Sequence, residues 1–306
     1  MRLAFLLFLC ISRVAFSQNE VEKPVNNQAI KSEMVPVNGI NMHVLEKGEG
    51  PVVLFLHGFP SYSGSWKRYL ETLSDQFRVV APDMRGYNLS SQPQEVDAYK
   101  IEVLMRDILA LTERLGGSKV CLVGHDWGGL LSWYLAAHHP EAFSKLVIMN
   151  APHPKIYQSL YGKDLDQTLK ASYVPVLIAP FSEKLLAAAD FKILSVGLFG
   201  QSTYQFGEDE KAEIYSAWDK GLLGPVSYYR SYIPRQKQLA AEMPRITVPT
   251  KVLWGEKDAA LSIKNLDGLD QYVEDLSVTR YPDATHWVNY EKVDELAAEI
   301  RSFCGE

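Results

Sequence analysis

The chain has 306 residues, 47% of them hydrophobic, and a formal charge of −6 at pH 7. That length supports a sizeable core and about two domains' worth of chain. The acidic balance and the lack of a Lys/Arg run exclude an obvious nucleic-acid surface, and ordinary Gly and Pro counts (20 and 16) exclude a fibrous or low-complexity chain.

The first residues read as a targeting segment. Arg2 gives a basic start, Leu3 to Ile11 is an unbroken apolar run, and Ala15 and Ser17 stand at the −3 and −1 positions of a cleavage site before Gln18. The run is too short to cross a bilayer as a helix, and Arg13 interrupts it. A signal peptide over 1–17 is expected, and with it a secreted or secretory-lumen protein. The alternative is an uncleaved anchor in the endoplasmic reticulum membrane, the one route to membrane contact. No later segment is long and apolar enough to span a membrane. Asn88-Leu89-Ser90 is the only sequon, so Asn88 is a candidate glycan site. Of three cysteines, Cys10 leaves with the signal, Cys121 falls in a predicted buried strand and Cys304 lies near the C-terminus. A disulfide framework is therefore not expected, despite the secretory route.

Residues 18–34 are polar and read as a loose leader. Strand-like runs follow. Asn41 to Glu46 alternates with a period of two. Val52 to Leu56 ends at His57-Gly58-Phe59-Pro60, Arg78 to Ala81 leads into Pro82-Asp83, and Val120 to Val123 leads into Gly124. Leu146 to Met149 leads into Asn150, Lys251 to Trp254 into Gly255, and Ser277 to Tyr281 into Pro282. Short continuous apolar runs suggest parallel strands buried on both faces. Between them, Ile101, Leu104, Ile108 and Leu111 follow helical spacing, and Gly129 to His138 and Val293 to Phe303 read as helices. This alternation predicts a doubly wound α/β core with a mostly parallel sheet. It breaks between 153 and 245, where helical patterns such as Glu183 to Asp190 and Lys211 to Asp219 dominate. The expected layout is a core over 35–152 and 246–306, with a helical cap over 153–245 inserted between the last strand of the first part and the first of the second.

The strongest chemical signal is Gly124-His125-Asp126-Trp127-Gly128-Gly129, between a predicted strand and a predicted helix. A tight strand–turn–helix elbow needs small residues two positions either side of the nucleophile it projects. Here the central residue is Asp126. A plain Gly-rich turn with an N-cap Asp would be the bland alternative, but partners fall into place behind it. Asp258 closes Trp254-Gly255-Glu256-Lys257-Asp258, and His286 sits in Pro282-Asp283-Ala284-Thr285-His286-Trp287. Each follows a strand, where open α/β sheets place their sites, and the order nucleophile, acid, histidine is that of α/β-hydrolases. Although Gly-x-Pro is common in turns, the His57–Pro60 loop is placed to supply one oxyanion amide, Phe59, with Trp127 supplying the other. A carboxylate nucleophile would form a labile anhydride with an ester. It suits displacement at a saturated carbon, giving an alkyl-enzyme ester that His286, oriented by Asp258, can hydrolyse through water. Halide and a strained ring oxygen are the leaving groups that meet this chemistry. No Cys/His cluster has metal-ligand spacing, and no cofactor is implied.

These residues resemble the soluble-type epoxide hydrolases of the α/β-hydrolase fold. The resemblance covers about residues 36–304 and rests on His57 to Pro60, Pro82-Asp83-Met84-Arg85-Gly86-Tyr87, the elbow, Asn150-Ala151-Pro152, and the Asp258 and His286 environments. It implies conversion of a small, apolar epoxide to a vicinal diol, with lipid epoxides a family-level expectation and no obligate protein partner. It also implies two cap tyrosines that hydrogen-bond the epoxide oxygen. Tyr229, in Gly224-Pro225-Val226-Ser227-Tyr228-Tyr229-Arg230, matches one; Tyr173, in Tyr173-Val174-Pro175, matches the other; Tyr228 is the neighbour most easily mistaken for Tyr229. The elbow is shared with haloalkane dehalogenases, which remain the alternative, although their halide-binding Asn is replaced here by Phe59. A non-catalytic binding module on the same fold is the third reading, disfavoured by the intact nucleophile, acid and base.

Overall fold

The computed structural model describes residues 29–305. Eight strands form one sheet: β1 (Lys31–Val37), β2 (Ile40–Lys47), β3 (Val52–Leu56), β4 (Arg78–Pro82), β5 (Val120–His125), β6 (Phe143–Met149), β7 (Thr250–Gly255) and β8 (Leu276–Tyr281), in the order β1-β2-β4-β3-β5-β6-β7-β8. The pairs β1–β2 and β2–β4 are antiparallel and the remainder parallel. The helices are α1 (Lys67–Leu73), α2 (Ile101–Arg114) and α3 (Trp127–His138), then α4 (Pro154–Leu160), α5 (Leu165–Lys170), α6 (Val174–Ile178), α7 (Ser182–Leu198), α8 (Glu208–Asp219), α9 (Leu223–Tyr232) and α10 (Gln236–Glu242) between β6 and β7, and finally α11 (Val288–Glu291) and α12 (Val293–Gly305).

The continuous apolar runs are explained by burial on both faces. In β3, Val53 and Phe55 face one apolar layer with α1 and α12, while Leu54 and Leu56 face the other with α2 and α3; β5 splits Cys121 and Val123 from Leu122 in the same way. A strand covered on both sides needs no polar alternation. The chain winds outward from β3 to β4, then crosses back to β5. The crevice between the C-terminal ends of β3 and β5 is thus a topological switch point, where such sheets bind ligands.

Five expectations are corrected. The polar leader does not run to residue 34: β1 begins at Lys31, an exposed edge strand held by backbone pairing to β2, so it carries no apolar pattern. β2 is buried along nearly its whole length, so its period-two sequence does not translate into alternating exposure. β8 is half exposed because, among the described residues, it is the other edge of the sheet and pairs with β7 alone. Cys121 and Cys304 form a disulfide, with Cα atoms 5.8 Å apart. Cys121 faces the layer that α12 covers, a proximity that 183 residues of separation hide from the sequence. The helix expected over 183–190 is also different: α7 is broken at Ala188 to Phe191, where three consecutive residues have positive φ. The proposed signal segment, 1–17, lies outside the described residues.

Candidate active site

Asp126 sits in the turn between β5 and α3 with φ 51° and ψ −119°, a conformation disfavoured for any residue with a Cβ. Two glycines make room for it. A Cβ on Gly128 would strike the Leu56 carbonyl of β3, and a Cβ on Gly58 would strike the Asp126 carboxylate itself. The Phe59 amide donates to Asp126 Oδ1 at 2.7 Å. Burial raises the Asp126 pKa; His286 and the amides of Phe59 and Trp127 act in the opposite direction. The oxyanion donors expected from Phe59 and Trp127 therefore already hold the nucleophile's own carboxylate. The loop carrying Phe59 is fixed by His57: the Met84 amide donates to its Nε2 at 3.0 Å, so Nδ1 carries the proton and donates to the Gly58 carbonyl at 3.0 Å.

His286 Nε2 lies 3.7 Å from Asp126 Oδ2. Its Nδ1 donates to Asp258 Oδ2 at 2.7 Å. Asp258 is buried, yet its Oδ1 accepts the amides of Ala260 and Leu261 at 2.7 and 2.8 Å and its Oδ2 also accepts Asn150 Nδ2 at 2.7 Å. Burial alone would raise its pKa, but His286 and these donors hold it below the ordinary carboxylate value. For His286, burial alone would lower the pKa, but Asp258 first, then Asp126 and Glu291, push it up to about 9.

The structure adds residues that sequence reasoning missed. Asn150 follows the last residue of β6 with φ 37° and bridges to β7: besides Asp258, its Nδ2 reaches the Gly255 carbonyl at 3.0 Å and its Oδ1 accepts the Gly255 amide at 2.8 Å. The resemblance had flagged Asn150-Ala151-Pro152 without giving Asn150 a role. His125, the residue before the nucleophile, donates from Nε2 to the His286 carbonyl at 2.8 Å; burial lowers its pKa to about 3, so the ring stays neutral. Glu291 accepts the Thr285 amide and hydroxyl at 2.7 and 2.6 Å, and the Thr203 amide at 2.8 Å, tying the His286 loop to the helical layer.

Two cavities meet over Asp126. One, of about 300 Å³, is lined by His286, Leu177, Leu186, Ile193 and Trp287. The other, of about 70 Å³, is lined by Trp127, Leu130, Tyr157, Val174 and Ile233. Asp126, Tyr173 and Tyr229 belong to both. The tyrosine rings meet edge to face with centroids 6.4 Å apart, and Tyr229 packs on Trp127 and Phe59. Burial lifts both phenols well above the usual pKa of 10, and the Asp126 charge lifts them further. Tyr228 is occupied elsewhere: its hydroxyl donates to the Arg85 carbonyl at 2.8 Å. Asn88 is also engaged, its amide donating to buried Asp83 at 2.8 Å. Among the described residues no group of His, Cys, Asp and Glu could hold a metal ion.

An acid–base–nucleophile set at the switch point of this sheet, beneath a helical layer, defines an α/β-hydrolase with a carboxylate at the elbow. The model of the α/β-hydrolase fold family matches residues 51–293. A protein of Bacillus subtilis described as an AB hydrolase superfamily protein is 34% identical over 281 residues, covering 88% of this chain and 97% of that one. Human epoxide hydrolase 4 is also 34% identical, over 88% of this chain and 77% of its own. The crystal structure of Bacillus megaterium epoxide hydrolase in complex with an inhibitor superimposes with a TM-score of 0.84 at 32% identity, covering 90% of this chain and 100% of that one. The chain therefore belongs to the epoxide hydrolases of the α/β-hydrolase fold family and is an enzyme.

Proposed function

We propose that the chain converts an apolar epoxide to a vicinal diol through a covalent ester on Asp126. The observation that carries this reading is the division of labour within one carboxylate. Oδ1 is tied to the Phe59 amide, while Oδ2 lies on the His286 side and the carboxylate lines both cavities with the two tyrosines. Oδ2 attacks one epoxide carbon, the C–O bond breaks, and Tyr173 and Tyr229 donate to the departing oxygen, which stays on the substrate. Because both phenols are lifted above 10, they remain protonated donors until an alkoxide forms. Water, deprotonated by His286, then attacks Cγ; Oδ1 carries the oxyanion between the amides of Phe59 and Trp127. Collapse expels the diol with Oδ2 as one of its oxygens. Displacement of halide would leave both tyrosine hydroxyls without a task.

The paired cavities fit an epoxide with an apolar substituent on each side. At roughly 10–15 Å³ per water, the smaller chamber holds about five to seven waters' worth of substituent and the larger about twenty to thirty. The test is a single turnover in H₂¹⁸O. The label is expected on Asp126; label found only in the diol refutes the ester.

The same proposal places the protein on the secretory route, with residues 1–17 removed. The Cys121–Cys304 disulfide supports an oxidising compartment. The mature N-terminus is expected at Gln18; an intact Met1 in a membrane fraction would replace this with the anchored form. A glycan on Asn88 would have to share the amide that now serves Asp83, and a mass loss on glycosidase treatment, absent in Asn88→Gln, is the test for it.

A further inference from the structure

Twelve large apolar side chains stand exposed among the described residues, and nine of them fall between Leu165 and Val196. Leu165 and Leu169, 73% and 62% exposed, lie one turn apart on α5; Val176 and Ile178 follow on α6; Phe181, 66% exposed, occupies the turn into α7; Leu185, Ile193 and Val196 continue along α7. Soluble chains rarely concentrate exposed apolar side chains in this way without a partner for them. The ninth, Tyr173, lines the large cavity above Asp126 and His286 together with Ile193 and Val196. The exposed apolar strip is therefore continuous with the wall of the active-site cavity.

Its charge differs from that of the rest of the molecule. Lys163, Lys184 and Lys192 are exposed and have no carboxylate within ion-pair distance among the described residues, Lys184 lying 5.1 Å from the Phe181 ring centre. Two neighbouring acids are neutralised from outside the strip, Asp164 by Lys264 and Glu183 by Arg230. Three free lysines thus face two free carboxylates, Asp166 and Asp190, on a chain whose overall charge is −6. No helix among the described residues is long and apolar enough to cross a membrane. Apolar side chains rimmed by lysines suit the headgroup–acyl boundary of an anionic bilayer.

We propose that this face docks on an anionic lipid surface, with Leu165, Leu169, Phe181 and Leu185 entering it, so that an apolar substrate passes from the lipid past Ile193 and Val196 to Asp126. The substrate half of this statement rests on the function proposed above; the docking half does not. The test uses the full chain and the triple variant Leu165→Ser/Leu169→Ser/Phe181→Ser, none of whose positions lines the cavity. Amide hydrogen exchange is followed with and without phosphatidylcholine vesicles containing phosphatidylserine. Exchange over 163–198 is expected to slow on vesicle addition, and more than with phosphatidylcholine alone. The variant is expected to lose this protection, each substitution weakening binding about tenfold, while turning over a water-soluble epoxide as the parent does. The proposal is overturned if the segment exchanges equally fast with vesicles present, if the variant is protected as well as the parent, or if the strip is protected in a concentration-dependent dimer without lipid. Vesicle protection without turnover of any epoxide would sink the proposed function and leave the docking standing.

Discussion

Replacing Asn150 by Ala removes three hydrogen bonds in one step. The bond to Asp258 Oδ2 is charge-assisted and contributes about 2 kcal/mol; the two to Gly255 are neutral and buried, about 1 kcal/mol each. The φ of 37° adds about 1 kcal/mol, because Ala tolerates the left-handed region less well than Asn. The expected loss is therefore about 4–5 kcal/mol, read in denaturant titrations as a lower midpoint at unchanged slope. A second effect separates positioning from simple support. With one of four donors gone, the Asp258 pKa should rise toward the ordinary value, and His286 should lose orientation. Ester hydrolysis should then slow more than ester formation, so that single-turnover kinetics show an accumulating adduct. Asn150→Asp, which keeps the acceptor for the Gly255 amide but puts a second carboxyl group beside Asp258, should not restore hydrolysis. A variant that loses less than about 1 kcal/mol, or that slows both half-reactions equally, would refute the reasoning.

Other expectations concern the base, the cap and the cross-link. His286→Gln should still be alkylated, so mass spectrometry of substrate-treated variant should find an adduct on Asp126; binding without an adduct would move His286 to an earlier step. Tyr229→Phe and Tyr173→Phe should each slow epoxide opening by roughly 10²–10³, and the double variant should nearly abolish it, whereas unchanged turnover in the double variant would remove both residues from the mechanism. Cys304→Ser releases a loop of 183 residues and should cost about 2–4 kcal/mol without changing turnover; the reduced parent should melt with the variant, and a variant as stable as the oxidised parent would contradict this.

How much was legible in the sequence depended on the range of the interaction. The elbow was legible because its requirement is local: Gly124 and Gly128 flank Asp126 within five residues, and the steric reason acts within that turn. Strands β3 to β7 were legible because cover on both faces imprints a continuous apolar run. β1 was not, since it is held by backbone pairing and its side chains face solvent. Asn150 and Asp258 are 108 residues apart and meet only because β6 and β7 are neighbours. The Cys121–Cys304 pair likewise depends on which face of β5 the α12 helix covers. Tyr228 and Tyr229 illustrate the finest limit: adjacent in sequence, they point to different places, and only the register of α9 against the Arg85 carbonyl decides which of them reaches the cavity.

The charges of the site resolve an apparent conflict in the proposed mechanism. A general base must be neutral to take a proton, yet His286 is pushed up to about 9 and would be charged at neutral pH. Part of that push comes from Asp126, whose own pKa burial raises while the imidazolium and two amides pull it down. The imidazolium's charge thus favours the carboxylate form that the first step of the proposed mechanism needs. Ester formation removes the Asp126 charge and with it one support of the imidazolium, while burial, which favours neutral imidazole, remains. Asp258 cannot play this switching part, because its four donors keep it charged throughout. In the proposed mechanism, loss of the Asp126 charge on alkylation would shift His286 toward the neutral base that hydrolysis of the ester requires.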